Sequence, residues 1–249
     1  MTQILSSRYI GKPVQRIEDS RFLTGSGRFV DDVVIPNMLH MAIFRSPHAH
    51  ARINSIDLSA ARAMTGVVDV FSANEIAMVL PEIPIRLSPF KGFERFLQKP
   101  IAKDKVRYVG EPVAVVVAEN PYLAEDALGS IVIDFDVLPA VTKIEQAELG
   151  EVLLHESAGE NLGTAYHVSR GDIEAAFKNA PYIRRERFIT NRQAACPLEN
   201  RGLIGEYDRV KKKYRLTGAA KVTYFNRRHL AVAFGMEEED VELIELDVG

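Results

Sequence analysis

The sequence predicts an α+β fold laid out in two successive parts, and three observations point to it. "PVAVVVAE" (112–119) is a continuous apolar run, as expected of a strand buried on both faces. "SIVIDFDVLP" (130–139) alternates, with Ile131, Ile133, Phe135 and Val137 on one side and Asp134 and Asp136 on the other. Short capped helices, rather than long repeating crossover units, separate these strands.

The elements follow in order. Residues 1–28 are polar, end in "TGSGRF" and read as an extended lead-in. "MLHMAIFRS" (38–46) and "ARINSIDL" (51–58) are strands on either side of "PHAHA". "DLSAARAMTG" is a short helix closed by Gly66, and "VVDVF" (67–71) is a strand. It runs into "SANEI", where Ser72 and Glu75 have the spacing of a capping box. Residues 78–105 contain Pro81, Pro84, Pro89 and Pro100, so a long surface excursion is expected. In "NPYLAEDALG", Asn120 caps a helix with Pro121 at its first position. Residues 29–143 therefore form one strand-rich domain, and 144–165 are a linker. In 166–249, "GDIEAAFKNA" is a helix capped by Asp172, and "YIRRERFIT" is a strand. "GLIGEYD" and "KYRLTGA" form a hairpin, "NRRHLAVAFG" is a helix from Asn226 to Gly235, and Glu239–Val248 is a last strand.

Bulk properties narrow the function. The chain has 249 residues, 47% hydrophobic and 26% charged, which is a globular balance. A net charge of −3 gives no basic surface for nucleic acid. The single cysteine, Cys196, excludes a disulfide or an iron–sulfur cluster built within the chain. No signal peptide and no apolar run long enough for a membrane span can be read, so a cytoplasmic location is expected.

Few residues carry chemistry on their own. On a strand, His48 and His50 in "PHAHA" would share a face and could ligate one metal, but two ligands do not close a site, so structural hydrogen bonding and no metal site are expected. "GSG" (25–27) and "VGEP" (109–112) lack phosphate-loop spacing and read as turns. "AACPLENRG" (194–202) gathers Cys196, Glu199 and Arg201 within six residues. It is either a polar substrate contact or a Glu199–Arg201 ion pair at a strand end. No Ser-His-Asp or Cys-His arrangement supports nucleophilic hydrolysis.

Longer stretches resemble a known family. "GSGRFVDDVVIPNMLHMAIFRSPHAHARI", "VRYVGEPVAVVVAENPYLAEDA", "GDIEAAFKNA" and "CPLENRG" are similar, in order, to signatures of the molybdenum-cofactor large subunits of the xanthine dehydrogenase, aldehyde oxidase and aerobic carbon monoxide dehydrogenase family. The resemblance implies an α/β hammerhead domain followed by the beginning of a molybdopterin-binding α+β domain. It also implies oxidation of an aldehyde, an N-heterocycle or carbon monoxide with water as oxygen source.

The implied partners are the remainder of the molybdenum subunit, an FAD-binding medium subunit and a 2Fe-2S small subunit. Glu199 matches a substrate-facing glutamate of the xanthine-type members, with Cys196 and Arg201 beside it, while "CPLE" itself resembles the carbon monoxide-type members more. Gly249 matches the first residue of a glycine-rich loop at the cofactor. The resemblance places the catalytic glutamate beyond this chain, in the later part of the subunit, and the isolated chain is then expected to be inactive. One departure stands out: "AAKVTYFNRRHLA" carries Lys221 near the position where the family often has a glutamine. A non-catalytic scaffold of such a complex and a stand-alone small-ligand binder are the competing readings.

Overall fold

The computed structural model describes residues 9–76, 81–85 and 92–249. The chain divides into two compact units, Met1–Val34 with Ala195–Gly249, and Ile35–Ala194. This division follows contacts rather than composition. The lead-in segment, which contains α1 (Asp19–Leu23), belongs with the C-terminal residues because Arg21 and Arg28 bond Asp247. Residues 144–165 stay with the strands before them, since Arg107 donates to the Leu154 carbonyl at 2.8 Å.

In the Ile35–Ala194 unit, β1 (His40–Arg45) leads to β2 (Ala51–Asp57), α2 (Ser59–Arg62), β3 (Val67–Ser72) and α3 (Ala73–Ile76). Then come β4 (Lys105–Val106), β5 (Pro112–Ala118), α4 (Pro121–Leu128) and β6 (Val132–Val137). Two antiparallel three-stranded sheets result, ordered β1-β5-β3 and β4-β2-β6.

β5 is the centre of the first sheet, which explains its unbroken apolar sequence. Ala114, Val116 and Ala118 face a core with Leu58, Ala61 and Val70, while Val115 packs with Ala73 and Ile101 on the other side. α4 contributes Ala124 and Ala127, one turn apart, to that core. Such small residues let a helix lie close to a sheet. Phe44, Ile56 and Ile133 touch both this core and the one formed by Ala51, Ala102, Val106 and Val113.

Local signals in the sequence are realised as hydrogen bonds. The Asn120 side chain accepts from the Leu123 amide at 3.0 Å, and Asp172 caps α6 (Ile173–Asn179) by accepting from the Ala175 amide at 2.9 Å. Glu75 reaches back to Ser72, accepting from its amide at 2.9 Å and its hydroxyl at 2.7 Å. "VGEP" is a turn with Gly110 at φ 91°, and the buried Glu111 closes it by accepting from the Arg107 amide. Burial pushes the Glu111 carboxyl up from its ordinary value, against the hydrogen bond from Arg107.

Other expectations differ from what forms. α5 (Ile144–Leu149) lies where a loop is expected; it ends on Gly150 at φ 67° but has no side-chain cap to announce it. "YIRRERFIT" is expected to be a strand, yet residues 181–202 hold no regular element. A strand needs a hydrogen-bonded neighbour, and among the described residues none is offered to it. Part of the proline-rich 78–105 excursion lies outside the described residues; within the rest, Phe93–Phe96 form a single 3-10 turn.

The second unit holds β7 (Leu203–Asp208), β8 (Lys213–Gly218), α7 (Thr223–Phe234) and β9 (Val241–Glu245). β7 and β8 are the expected hairpin, and β9 joins β8 in parallel across α7. α7 begins three residues earlier than the pattern from Asn226 suggests. It ends on Gly235 at φ 63°, as expected.

Two predictions follow from the Ile35–Ala194 unit. Val116 is fully buried, so Val116→Ala should lower that unit's stability by about 2 kcal/mol, measured by urea unfolding. An unchanged midpoint would show that β5 is not the central strand. Burial pushes the Glu75 carboxyl up, but hydrogen bonds from Ser72 and Arg62 outweigh it and hold the pKa at about 2. The folded value lies below the unfolded one, so the stabilisation is present above about 4.5 and is lost as pH falls towards 2. Because Glu75 and Arg62 are 40% and 45% exposed, solvent screens the pair, and the effect is about 1 kcal/mol. Glu75→Gln should therefore flatten the loss of stability between pH 5 and pH 2, as read from unfolding midpoints across that range.

Candidate functional site

Parallel pairing gives one edge of the second unit's sheet a special character. β8 and β9 run in the same direction, so both end at one edge, and antiparallel β7 begins there. α7 returns along the sheet, so it too begins beside the end of β8. In open, mostly parallel α/β sheets ligands bind in the crevice beyond the carboxyl ends of the strands, and the single parallel pair here presents one such end.

Glycines let the backbone close up at this edge. Gly218, at φ 138°, ends β8; a Cβ there would lie 2.7 Å from the Gly202 carbonyl oxygen and 2.8 Å from Val30. Val30 is 8% exposed and also presses on Gly202, where an added Cβ would meet it at 2.9 Å. Beyond Gly218 the chain takes two left-handed steps, Lys221 at φ 30° and Val222 at φ 55°. A β-branched residue in that region is strained. The Asn226 side-chain amide donates to the carbonyls of Ala220, at 2.7 Å, and Lys221, and holds the turn. α7 then opens with no side-chain cap, leaving a positive dipole end at the edge.

Glu199 and Gly249 meet here. The Gly249 amide donates to Glu199 Oε2 at 2.7 Å, and a Cβ on Gly249 would lie 2.7 Å from the Glu199 Cβ, so only glycine fits. The other carboxylate oxygen, Oε1, is buried without a hydrogen-bond partner. A buried acceptor in that state calls for a donor.

The remaining residues singled out from sequence lie differently. Arg201 is exposed, and Glu199 bonds Gly249 rather than Arg201. Cys196 is exposed with a free thiol and φ 45°. In the other unit, His50 is buried with Nδ1 2.8 Å from the Pro139 carbonyl oxygen, and His48 packs edge-on against Phe135. Among the described residues no group of three or more His, Cys, Asp or Glu could hold a metal ion.

Sequence reading missed three contributors to the edge. Gly202 closes the "CPLENRG" stretch but is assigned no role there, and Gly218 carries no motif, although each ends or begins a strand pattern. Asp247 is 9% exposed and takes the paired nitrogens of Arg21 together with the Arg28 amide. The Arg21 hydrogen bonds, then that of Arg28, hold its carboxyl below the ordinary range. A groove of about 540 Å³ also runs beside α7 and β9, but its lining mixes Lys213 and Arg227 with Glu238 and Glu242 and includes neither Glu199 nor Gly249. Among the described residues no helix is long and apolar enough to cross a membrane.

The edge fits the molybdopterin cofactor in kind. It offers an uncapped helix start for an anionic group and glycine backbone for close approach. Comparison with known proteins supplies the family. The model described as aldehyde oxidase and xanthine dehydrogenase, a/b hammerhead domain, matches residues 24–139, and that of the molybdopterin cofactor-binding domain matches 154–249. The nicotine 6-hydroxylase large subunit of Paenarthrobacter nicotinovorans is 34% identical over 245 residues, covering 98% of this chain and 30% of the relative. The carbon monoxide dehydrogenase large chain of Afipia carboxidovorans is 31% identical over 249 residues, covering 94% of this chain and 30% of that one. Quinoline 2-oxidoreductase from Pseudomonas putida 86 matches in structure with a TM-score of 0.81 and 34% identity, over 96% of this chain and 30% of its own. The chain thus spans about 30% of the length of these relatives. With both domain matches in sequence order and the fold shared, the chain belongs to the molybdenum-cofactor large-subunit family of xanthine dehydrogenase, aldehyde oxidase and carbon monoxide dehydrogenase.

Proposed function

We propose that this chain is part of a cytoplasmic molybdenum hydroxylase that oxidises an electron-poor carbon of a nitrogen heterocycle or an aldehyde. Water is the oxygen source, and the electrons pass to 2Fe-2S clusters and FAD on partner subunits. The observation that carries the reading is the Glu199 carboxylate, with one oxygen held by the Gly249 amide and the other buried and unpartnered.

Molybdopterin, when bound, supplies the two-electron oxidation. In this chain the α7 start and the backbone at Gly218 and Gly249 are the parts that would hold it. The Gly249 amide is already bonded to Glu199, so that glycine contributes close approach rather than a free donor. Glu199 orients the substrate by accepting a hydrogen bond from a ring N–H or a hydroxyl. Its rigid hold on one oxygen limits how far the other can swing, which is what positioning requires. The resemblance puts the family's catalytic base outside these residues, and none of them is assigned that role.

Carbon monoxide is the weaker candidate substrate. It has no donor for a buried carboxylate oxygen; a heterocycle provides one through a ring N–H or hydroxyl, and an aldehyde only through such a group elsewhere in the molecule. Two of the similar proteins are named for nicotine and quinoline, nitrogen heterocycles that meet a carboxylate as donors only when a nitrogen is protonated. The exposed Lys221, where the family often has glutamine, adds a further difference in the turn before α7.

The test is Glu199→Gln in the assembled, metal-loaded enzyme, assayed on a nitrogen heterocycle, an aldehyde and carbon monoxide. A lost hydrogen bond to a charged group is worth about 1.5–3 kcal/mol, so kcat/KM on the true substrate should fall about 10- to 150-fold with molybdenum content unchanged. Full activity in the loaded variant would remove Glu199 from the site.

A further inference from the structure

The N-terminal segment is tied to the same sheet edge. The two terminal nitrogens of Arg21, on α1, face the two carboxylate oxygens of Asp247. Arg28 adds a reciprocal pair: its amide donates to Asp247 Oδ2 at 2.8 Å, and the Asp247 amide donates to the Arg28 carbonyl at 3.1 Å. α1 is itself braced, because the Phe22 and Phe29 rings stack at 6.3 Å and the Arg21 guanidinium lies 4.9 Å over Phe22.

Asp247 stands two residues before Gly249, whose amide bonds Glu199. Between them Val248 is 61% exposed, so its side chain gives this stretch no packed anchor. A fork-to-fork contact between guanidinium and carboxylate restrains direction as well as distance. The last fixed point before the Gly249 amide is therefore the Asp247 clamp.

We propose that Arg21 and Asp247 are positioning residues of the Glu199 site. Their contact fixes residues 247–249 so that the Gly249 amide occupies one Glu199 oxygen and leaves the other for a ligand. Neither residue touches the ligand. The functional consequence rests on the reading of Glu199 given above, whereas the clamp itself can be tested in the chain alone.

The experiment follows backbone amide exchange by NMR in the 249-residue chain and in its Arg21→Gln, Arg21→Lys and Asp247→Asn variants. In Arg21→Gln and Asp247→Asn, exchange at Gly249 should rise about tenfold, the scale of one lost hydrogen-bonded restraint. Its amide signal should move towards that of an unstructured glycine. Arg21→Lys keeps the charge without the two-pronged geometry and should fall between. The β8 amides should keep their protection throughout. Unchanged exchange at Gly249 in both Arg21→Gln and Asp247→Asn overturns the proposal. So does an equal rise in β8, or loss of the folded unit, because either shows a structural role rather than a positioning one. If Glu199→Gln leaves enzyme kinetics intact while these exchange results hold, the substrate reading fails and the clamp stands.

Discussion

The parallel register of β8 and β9 is the constraint from which the candidate site follows. Tyr214 pairs with Val241 and Gly218 with Glu245, so both strands finish at the same edge. Parallel neighbours cannot be joined by a tight turn, and the chain must cross over, which is the role of α7. The crossover delivers a helix start, and with it a partial positive charge, to the edge where the strands end. Antiparallel pairing would have sent β9 out at the far edge. Gly249 would then lie away from the segment before β7, and Glu199 would have no amide to receive.

What the sequence disclosed was local. Caps at Asn120 and Asp172 and the Ser72–Glu75 box are each written within four residues; both caps form, and the box forms in its Glu75 half, with Ser72 Oγ accepting from the Asn74 amide instead of that of Glu75. β5 was legible because a strand buried on both faces needs an unbroken apolar run. α5 was not, since it lacks both a cap and an apolar stripe. "YIRRERFIT" has strand composition, but composition does not provide a partner, and no pairing forms in residues 181–202. At the site, Glu199 and Gly249 were readable as separate family positions, while their hydrogen bond was not. Nothing local marks Arg21 and Asp247, which stand 226 residues apart.

The Glu199 carboxylate shows why a site residue can look unremarkable in sequence. A Glu two residues from an Arg is usually read as a surface pair, and such pairs are worth little. Here the Gly249 amide takes the carboxylate instead, and Gly249 can come that close only because it has no Cβ. The same substitution of backbone for side chain recurs at Gly202 and Gly218, where Val30 fills the space their missing side chains leave. At Glu199, Gly202 and Gly218, close approach rather than a charged partner brings the groups together.

Such an edge requires residues from both ends of the chain, and that sets an energetic order. The unit containing it joins Met1–Val34 to Ala195–Gly249, with all of Ile35–Ala194 between them. Bringing Arg21 to Asp247 closes a loop over that whole interval, and loop-closure entropy grows with the length of flexible chain to be closed. When Ile35–Ala194 has already folded on its own contacts, little of the interval remains flexible, and the closure is correspondingly less unfavourable. The self-contained core around β5, with caps and antiparallel pairings that need nothing from the ends of the chain, therefore favours formation of the site as well as of its own unit. A change that unfolds the unit around β5 lengthens the flexible chain that the Arg21 contact must close, and so opposes the clamp at Asp247 without touching it.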